Sequence, residues 1–527
     1  MHMQSETRKI DSVRRRYLVT LFTNMVFFFA SLVTAGIVPR ALGPKQLGDF
    51  SFLNRVSGAF RNAMDMGASS AFFNYNSKHE HTGPIVKVYS VWLIGQLAAI
   101  LALIVIAVLI GFQNFIWPGQ SVRFIIWVAV FDWVFFSANM LRQLSDSKGY
   151  TVKAQMLSLV IGLVNIFTLV FFALNNLLSL SWYIAIQTLS SAVVSLGIIF
   201  WVIVPHKDIY WAGEIKGRLK EFFDYFYKFC SPIVAVTLVS FIFEYFDRVL
   251  LQRFGGSIEQ GYFHIASSWS ALAMIFTASF LAIYKREVAH SLGANDMVKA
   301  SAIYTRYLKM LYFLTMVLAM FLVFNAGELI DLIAGPKFRS ATIVLIIMAF
   351  YPMHQVYGML GGATFYSTER TAALRNISVV AMLVGIVLSY FFLAPSYLKV
   401  PGLGLGSIGL ALKTVIWNFL VVQIYLVSNC RFFGLGLKPF FWHQVYSLAL
   451  LAGVISIVRW PVSFFIKGDG AFETVFRLGT ETMLYFGIVG ILIYIFPHIL
   501  GITREDINGL KVRIREALGL RQDNPAV

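Results

Sequence analysis

The sequence predicts an all-α integral membrane protein of about fourteen transmembrane helices, on three observations. Of its 527 residues, 58% are hydrophobic and only 13% are charged, far from the roughly 45–50% and 25% of soluble domains. Apolar windows of about 20 to 25 residues recur from end to end, and at about 1.5 Å per residue each covers the roughly 30 Å hydrocarbon core. Clusters of Gly, Pro and charge separate them.

The first window, 17–38, follows the basic stretch "RKIDSVRRR". It is longer than the 7 to 15 apolar residues of a signal peptide and ends in a poor cleavage site, so it reads as a retained span. Five more windows follow at 48–74, 85–111, 122–141, 153–174 and 181–204. A long basic connection from Pro205, "PHKDIYWAGEIKGRLKEFFDYFYK", then divides the chain. Beyond it lie 226–251, 258–284, 303–324, 340–366, 374–394 and 405–427, and two last windows at 440–460 and 476–497. These give an N-lobe over 1–210, a C-lobe over 211–430 and two additional spans over 431–500. In the tail, 501–527, Ile507, Leu510, Ile514 and Leu518 share one helical side with cations largely elsewhere, which suits a helix on an anionic membrane surface.

The formal net charge is +17. With the N-terminus inside, about 29 of the 43 Lys and Arg fall on inner loops and tails. Much of the charge is therefore topology; both ends are expected in the cytoplasm, and nucleic acid is not an expected partner. Cys230 and Cys430 show neither a disulfide framework nor metal-ligand spacing. No phosphate loop ending in Lys-Ser/Thr appears, and "GLGSIG" from Gly404 opens an apolar helix rather than a βαβ unit. No cofactor is expected.

Two corners repeat. "IVPRALGPKQLGDFSF" after the first span and "RFGGSIEQGYFHI" after the seventh pair Arg40 with Arg253, Gly43 with Gly256, Gly48 with Gly261 and Phe50 with Phe263 at one constant offset. Two parallel six-span bundles would produce such a repeat. A shorter echo, "AGPKF", starts at Ala334. These corners are expected to be rigid outer elbows, each handing the chain from a structural helix to a cavity-lining one.

With "PRALGPKQLGDFSF", "QRFGGSIEQGYFHIASSW", "AGPKFRSATIVLIIMA" and "GLGSIGLALKTVIWN" in their places, the chain resembles the polysaccharide flippases of the O-antigen type. These belong to the multidrug/oligosaccharidyl-lipid/polysaccharide exporter superfamily. The resemblance implies two pseudo-symmetric six-helix lobes, two extra C-terminal helices and a central cavity of alternating access. It further implies a bacterial cytoplasmic membrane and a cargo of undecaprenyl-diphosphate-linked oligosaccharide moved from the inner to the outer leaflet. Its partners would be membrane lipids, a glycan polymerase and glycosyltransferases. A transporter is implied, and no enzyme.

Ionisable groups within spans cost roughly 2.5 to 3.5 kcal/mol each on insertion scales, which makes them default functional candidates. The second span is the most polar: Asn54, Arg61 and Asp65 fall near one face, Arg55 and Asn62 on the next row. The seventh carries Glu244, Asp247 and Arg248; the twelfth carries Lys413. Counted from the outer turns, Arg55, Arg248 and Lys413 lie at comparable depth, where three cations could grip a diphosphate. Arg55, Arg61, Asn62, Arg248 and Lys413 are thus the expected substrate-binding set. Asp65, Asp132, Glu244 and His354 are the expected proton-coupling set. The competing readings are local i,i+4 ion pairs for Arg61 with Asp65 and for Glu244 with Arg248, and a packing histidine at 354.

Two rivals share the architecture, a multidrug or cation-coupled exporter and a lipid II flippase. A small-cation pump should favour acidic intramembrane groups, whereas Arg55, Arg61, Arg248 and Lys413 favour an anionic cargo. A membrane-embedded glycosyltransferase would need an outer-loop site. Glu328, Asp331, Asp469 and Glu473 show no spacing that suggests one.

Overall fold

The computed structural model describes residues 13–79, 82–211, 219–468, 470–501 and 504. The amphipathic helix expected over 501–527 falls almost wholly outside them. Among the described residues the chain is helical throughout, without a strand. Eleven helices are long and apolar enough to cross a membrane, or twelve with the bent pair Leu219–Ser231 and Ile233–Met274 counted as one span. The protein is a multi-pass membrane protein.

The sequence windows number fourteen because two of the helices each hold two windows. Val13–Asp65 and Leu219–Ala271 are both 53 residues long, and each is broken at one glycine. Gly43 has φ 71° and ψ 173°, Gly256 has φ 77° and ψ −174°. Only glycine adopts this region without strain, since a β-carbon would collide with the neighbouring peptide. The corners expected as elbows are single-residue breaks within otherwise continuous helix. Pro44 follows the first break at once, where its missing N–H belongs to a turn that would lack a partner anyway.

The chain divides into two compact units. The first comprises Met1–Tyr262, Ile333–Lys337 and Ile386–Gly406; the second comprises Phe263–Leu332, Phe338–Gly385 and Ser407–Val527. In the first unit Phe52, Leu53 and Val56 are fully buried against Ile125, Val128, Leu180 and Ile184. In the second, the helix Met297–Ile333 supplies more than any other helix to a core that takes in Tyr312, Phe313, Met316, Tyr357, Leu451 and Tyr485. Lipid chains are as apolar as these side chains, so close packing and interhelical hydrogen bonds do the holding. Indole N–H groups provide two of them: Trp133 donates to the Leu93 carbonyl at 2.7 Å and Trp417 to that of Ala381 at 2.8 Å.

The repeat is also a contact. A β-carbon built on Gly48 would lie 1.7 Å from the Ser257 carbonyl oxygen, and one on Gly261 would lie 2.2 Å from that of Pro44. Ser257 is the repeat equivalent of Pro44, and Gly261 of Gly48, so the two elbows meet in a reciprocal, pseudo-two-fold manner. The third echo joins them. Arg40 donates through Nε to the Ile333 carbonyl at 2.9 Å, and Gly335, at φ 87°, lies against its side chain. The "GLGSIG" stretch starts the helix Gly406–Phe433, as expected of a decoy.

Candidate functional site

Polar groups of the first unit gather on both sides of the two elbows. Below the Gly48–Ser257 contact the Ser257 hydroxyl donates to Asp49, which also accepts from Gln120 at 2.7 Å, and Gln252 donates to the Ser257 hydroxyl at 3.0 Å. Gln260, fully buried, donates to the Arg248 carbonyl at 2.6 Å and accepts from its guanidinium at 3.4 Å. This network fixes the elbow and orients Arg248 from the neighbouring turn.

Around Arg248 the charges are mixed. Arg55, Asp247 and Glu244 all act on it electrostatically, Arg55 as a like charge and the two acids as opposite ones. Asp247 also accepts from Ser389. Glu244 is exposed and makes no ion pair among the described residues, so the i,i+4 bridge to Arg248 is not formed. Arg55 is exposed and has neither a hydrogen bond nor an ion pair among the described residues. Two like charges near one another, one of them without an acid of its own, form a place where an anion would be stabilised.

Arg61 has a different role from that expected of a self-contained pair with Asp65. Its Nε donates to Asp132 Oδ2 at 2.8 Å on the helix Val122–Ser147, its Nη1 to Asn62 Oδ1 at 2.9 Å, and its guanidinium lies 4.2 Å from the Phe136 ring. The side chains of Arg61 and Asp132 are only 15% and 9% exposed. Asp65 instead accepts from the Ser69 hydroxyl at 2.7 Å and from its backbone N–H at 3.2 Å, at the start of the short helix Ala68–Lys78. A carboxylate there meets the free N–H groups of a helix N-terminus.

Lys413 lies in the second unit, on Gly406–Phe433, and is 2% exposed. His354, also in the second unit, is buried, has no partner for Nδ1 among the described residues and meets the Phe419 ring edge to face at 4.9 Å. Among the described residues no cluster of three His, Cys, Asp or Glu could hold a metal.

One feature lay beyond sequence reasoning. Phe60 packs on Phe241 at 5.1 Å and on Tyr245 at 5.8 Å, and all three rings are only half-buried. Phe241, Tyr245 and Arg248 recur at i, i+4 and i+7, so the aromatic and cationic groups share one helical face. With 83 aromatic residues in the chain by type count, 49 Phe, 23 Tyr and 11 Trp, only the spacing to Arg248 could have singled these out.

The sequence profile described as "Polysaccharide biosynthesis protein" matches residues 37–343, from the first elbow into the second unit. The chain belongs to the polysaccharide biosynthesis protein family. No curated protein matches it. Among solved structures, the family member is similar to the lipid II flippase MurJ in an inward closed conformation, at 16% identity and TM-score 0.62, over 91% of this chain and 98% of that one. It is also similar to an inward-facing multidrug resistance MATE family transporter of the MOP superfamily, at 17% identity and TM-score 0.60, over 80% of this chain and 95% of that one. At such identity these likenesses show a common fold.

Proposed function

We propose that this protein is a flippase that carries an undecaprenyl-diphosphate-linked oligosaccharide, an O-antigen or exopolysaccharide repeat unit, from the inner to the outer leaflet of a bacterial cytoplasmic membrane. The observation that carries the reading is Arg55, a cation of the polar second span with no acid partner, beside Arg248. A guanidinium pair matches a diphosphate, because each offers two parallel N–H donors to phosphate oxygens. Lys413 belongs to the proposed substrate set as a further intramembrane cation. Phe60, Phe241 and Tyr245 are suited to stacking on sugar faces next to the phosphates. Arg61 and Asn62 would complete the substrate set, with Arg61 positioned by Asp132.

In this reading the two lobes, 1–210 and 211–430, alternate in access, and both termini are cytoplasmic. Family membership in polysaccharide biosynthesis supports a glycan cargo, and the fold shared with transporters supports transport over an enzymatic role. Asp65, Asp132, Glu244 and His354 are the proposed proton-coupling groups of the cycle.

The test is complementation in a strain that lacks its own flippase for the cognate glycan. Arg55→Gln with Arg248→Gln and Lys413→Gln should abolish surface glycan while the protein still reaches the membrane. Full export by the triple variant would remove the diphosphate-binding reading. The lipid II alternative is separated by supplying lipid II as the only cargo.

A further inference from the structure

The two C-terminal helices, Lys438–Phe465 and Ala471–Ile495, carry a charge cluster within the second unit that the proposed cargo site does not use. Glu328, on Met297–Ile333, accepts from Arg459 at 2.8 Å and from Arg477 at 3.2 Å. Arg459 also donates to Asn325 Oδ1 at 2.7 Å and to the Phe324 carbonyl. Glu481 stands one helical turn beyond Arg477. It is 0% exposed, it has Arg459, Arg477 and Glu328 as electrostatic neighbours and the Asn325 amide close by, and among the described residues no arginine donates a hydrogen bond to either of its oxygens.

Two acids therefore face two arginines, yet one acid takes the ion-pairing N–H groups. A buried carboxylate to which neither arginine is bonded costs several kcal/mol, whereas the neutral acid costs much less. The i,i+4 spacing also puts the Arg477 guanidinium within reach of Glu481 by a change of side-chain rotamer alone.

We propose that Glu481 is a proton-binding site. In the arrangement seen, the carboxyl holds the proton on one oxygen and Arg477 pairs with Glu328. When the O–H bond breaks, the proton leaves to solvent, its electron pair stays on the carboxylate, and Arg477 moves to Glu481 while Arg459 stays with Glu328. The cluster's net charge thereby falls from one positive to zero. The groups that face Glu481 are Glu328 and Asn325 from Met297–Ile333, Arg459 from Lys438–Phe465, and Arg477 on its own helix. Two guanidiniums so near disfavour a metal cation, which leaves the proton as the ligand. The link would make the grip of the last helix on Met297–Ile333 responsive to pH.

The experiment is infrared difference spectroscopy on the purified full chain, titrated from acid to alkaline pH. The carbonyl stretch of a protonated carboxyl group should appear at the acid end, fade as pH rises, and be missing in Glu481→Gln. Identical difference spectra for the two proteins would overturn the proposal. Gln matches the neutral acid in shape and charge, so the variant should fold. Should it not, Arg477→Gln serves, since loss of the receiving cation should shift the fading of that band to higher pH, and an unmoved titration would overturn the proposal equally. Neither readout depends on what the protein transports.

Discussion

Gly48 and Ser257 approach so closely that no side chain fits between them: a β-carbon on Gly48 would lie 1.7 Å from the Ser257 carbonyl oxygen. The obstacle is backbone, and the Ser257 hydroxyl is tied to Asp49, the neighbour of Gly48, and to Gln252, so it cannot swing aside. Gly48→Ala should therefore force the two elbows apart and lower the melting temperature in detergent markedly. Gly261→Ala, whose added carbon would meet the Pro44 carbonyl at 2.2 Å, should behave alike. Gly453→Ala, with nothing within 4 Å, should be neutral or gain up to about 1 kcal/mol as a helix-interior replacement. Equal melting of all three would contradict the packing described.

Replacing the break residues themselves should cost less. Gly43→Ala and Gly256→Ala meet no neighbour but must hold φ near +70°. Each should destabilise by about 1–3 kcal/mol. Hydrogen exchange should show the loss confined to the turns on either side of the substituted glycine.

The Arg61–Asp132 pair should reveal itself as a coupled unit. Asp132→Asn leaves a largely buried guanidinium without its acid, at a cost of about 3–5 kcal/mol at most. The double variant with Arg61→Gln should be less destabilised than the two single changes added together, by about 0.5–3 kcal/mol. Additive melting shifts would show that the two side chains do not stabilise one another.

Much of the architecture is legible in the sequence because a bilayer imposes its length on every span, and all fourteen apolar windows recur as helix or half-helix. The elbows are readable only as punctuation. Gly and Pro signal a turn, but a single residue at φ 71° can redirect a helix without ending it, and a pattern of residue types does not tell these apart. The site was less accessible for a specific reason. Spacing along one helix suggests Arg61 with Asp65, whereas the acid that binds Arg61 comes from 71 residues away, and no periodicity relates residues on separate helices. Glu481 was missed on similar grounds, since its significance depends on Glu328 already holding both arginines.

The Glu328 bridges should matter more than the exposed pair one turn further on. Glu328→Gln leaves Arg459 and Arg477 without their shared acid and should loosen Lys438–Phe465 and Ala471–Ile495 from Met297–Ile333, seen as faster proteolysis of the C-terminal part. Arg339→Gln, which removes a solvent-exposed bridge to Asp331, should leave the cleavage rate unchanged.

The most direct measurement is the binding of undecaprenyl diphosphate, without any sugar, to the purified protein in nanodiscs. Wild type should bind it, and affinity should fall tenfold or more in Arg55→Gln and again in Arg55→Gln with Arg248→Gln, about 1.4 kcal/mol per tenfold step. Equal affinity in wild type and both variants would mean that the unpaired Arg55 and its neighbour do not hold the diphosphate.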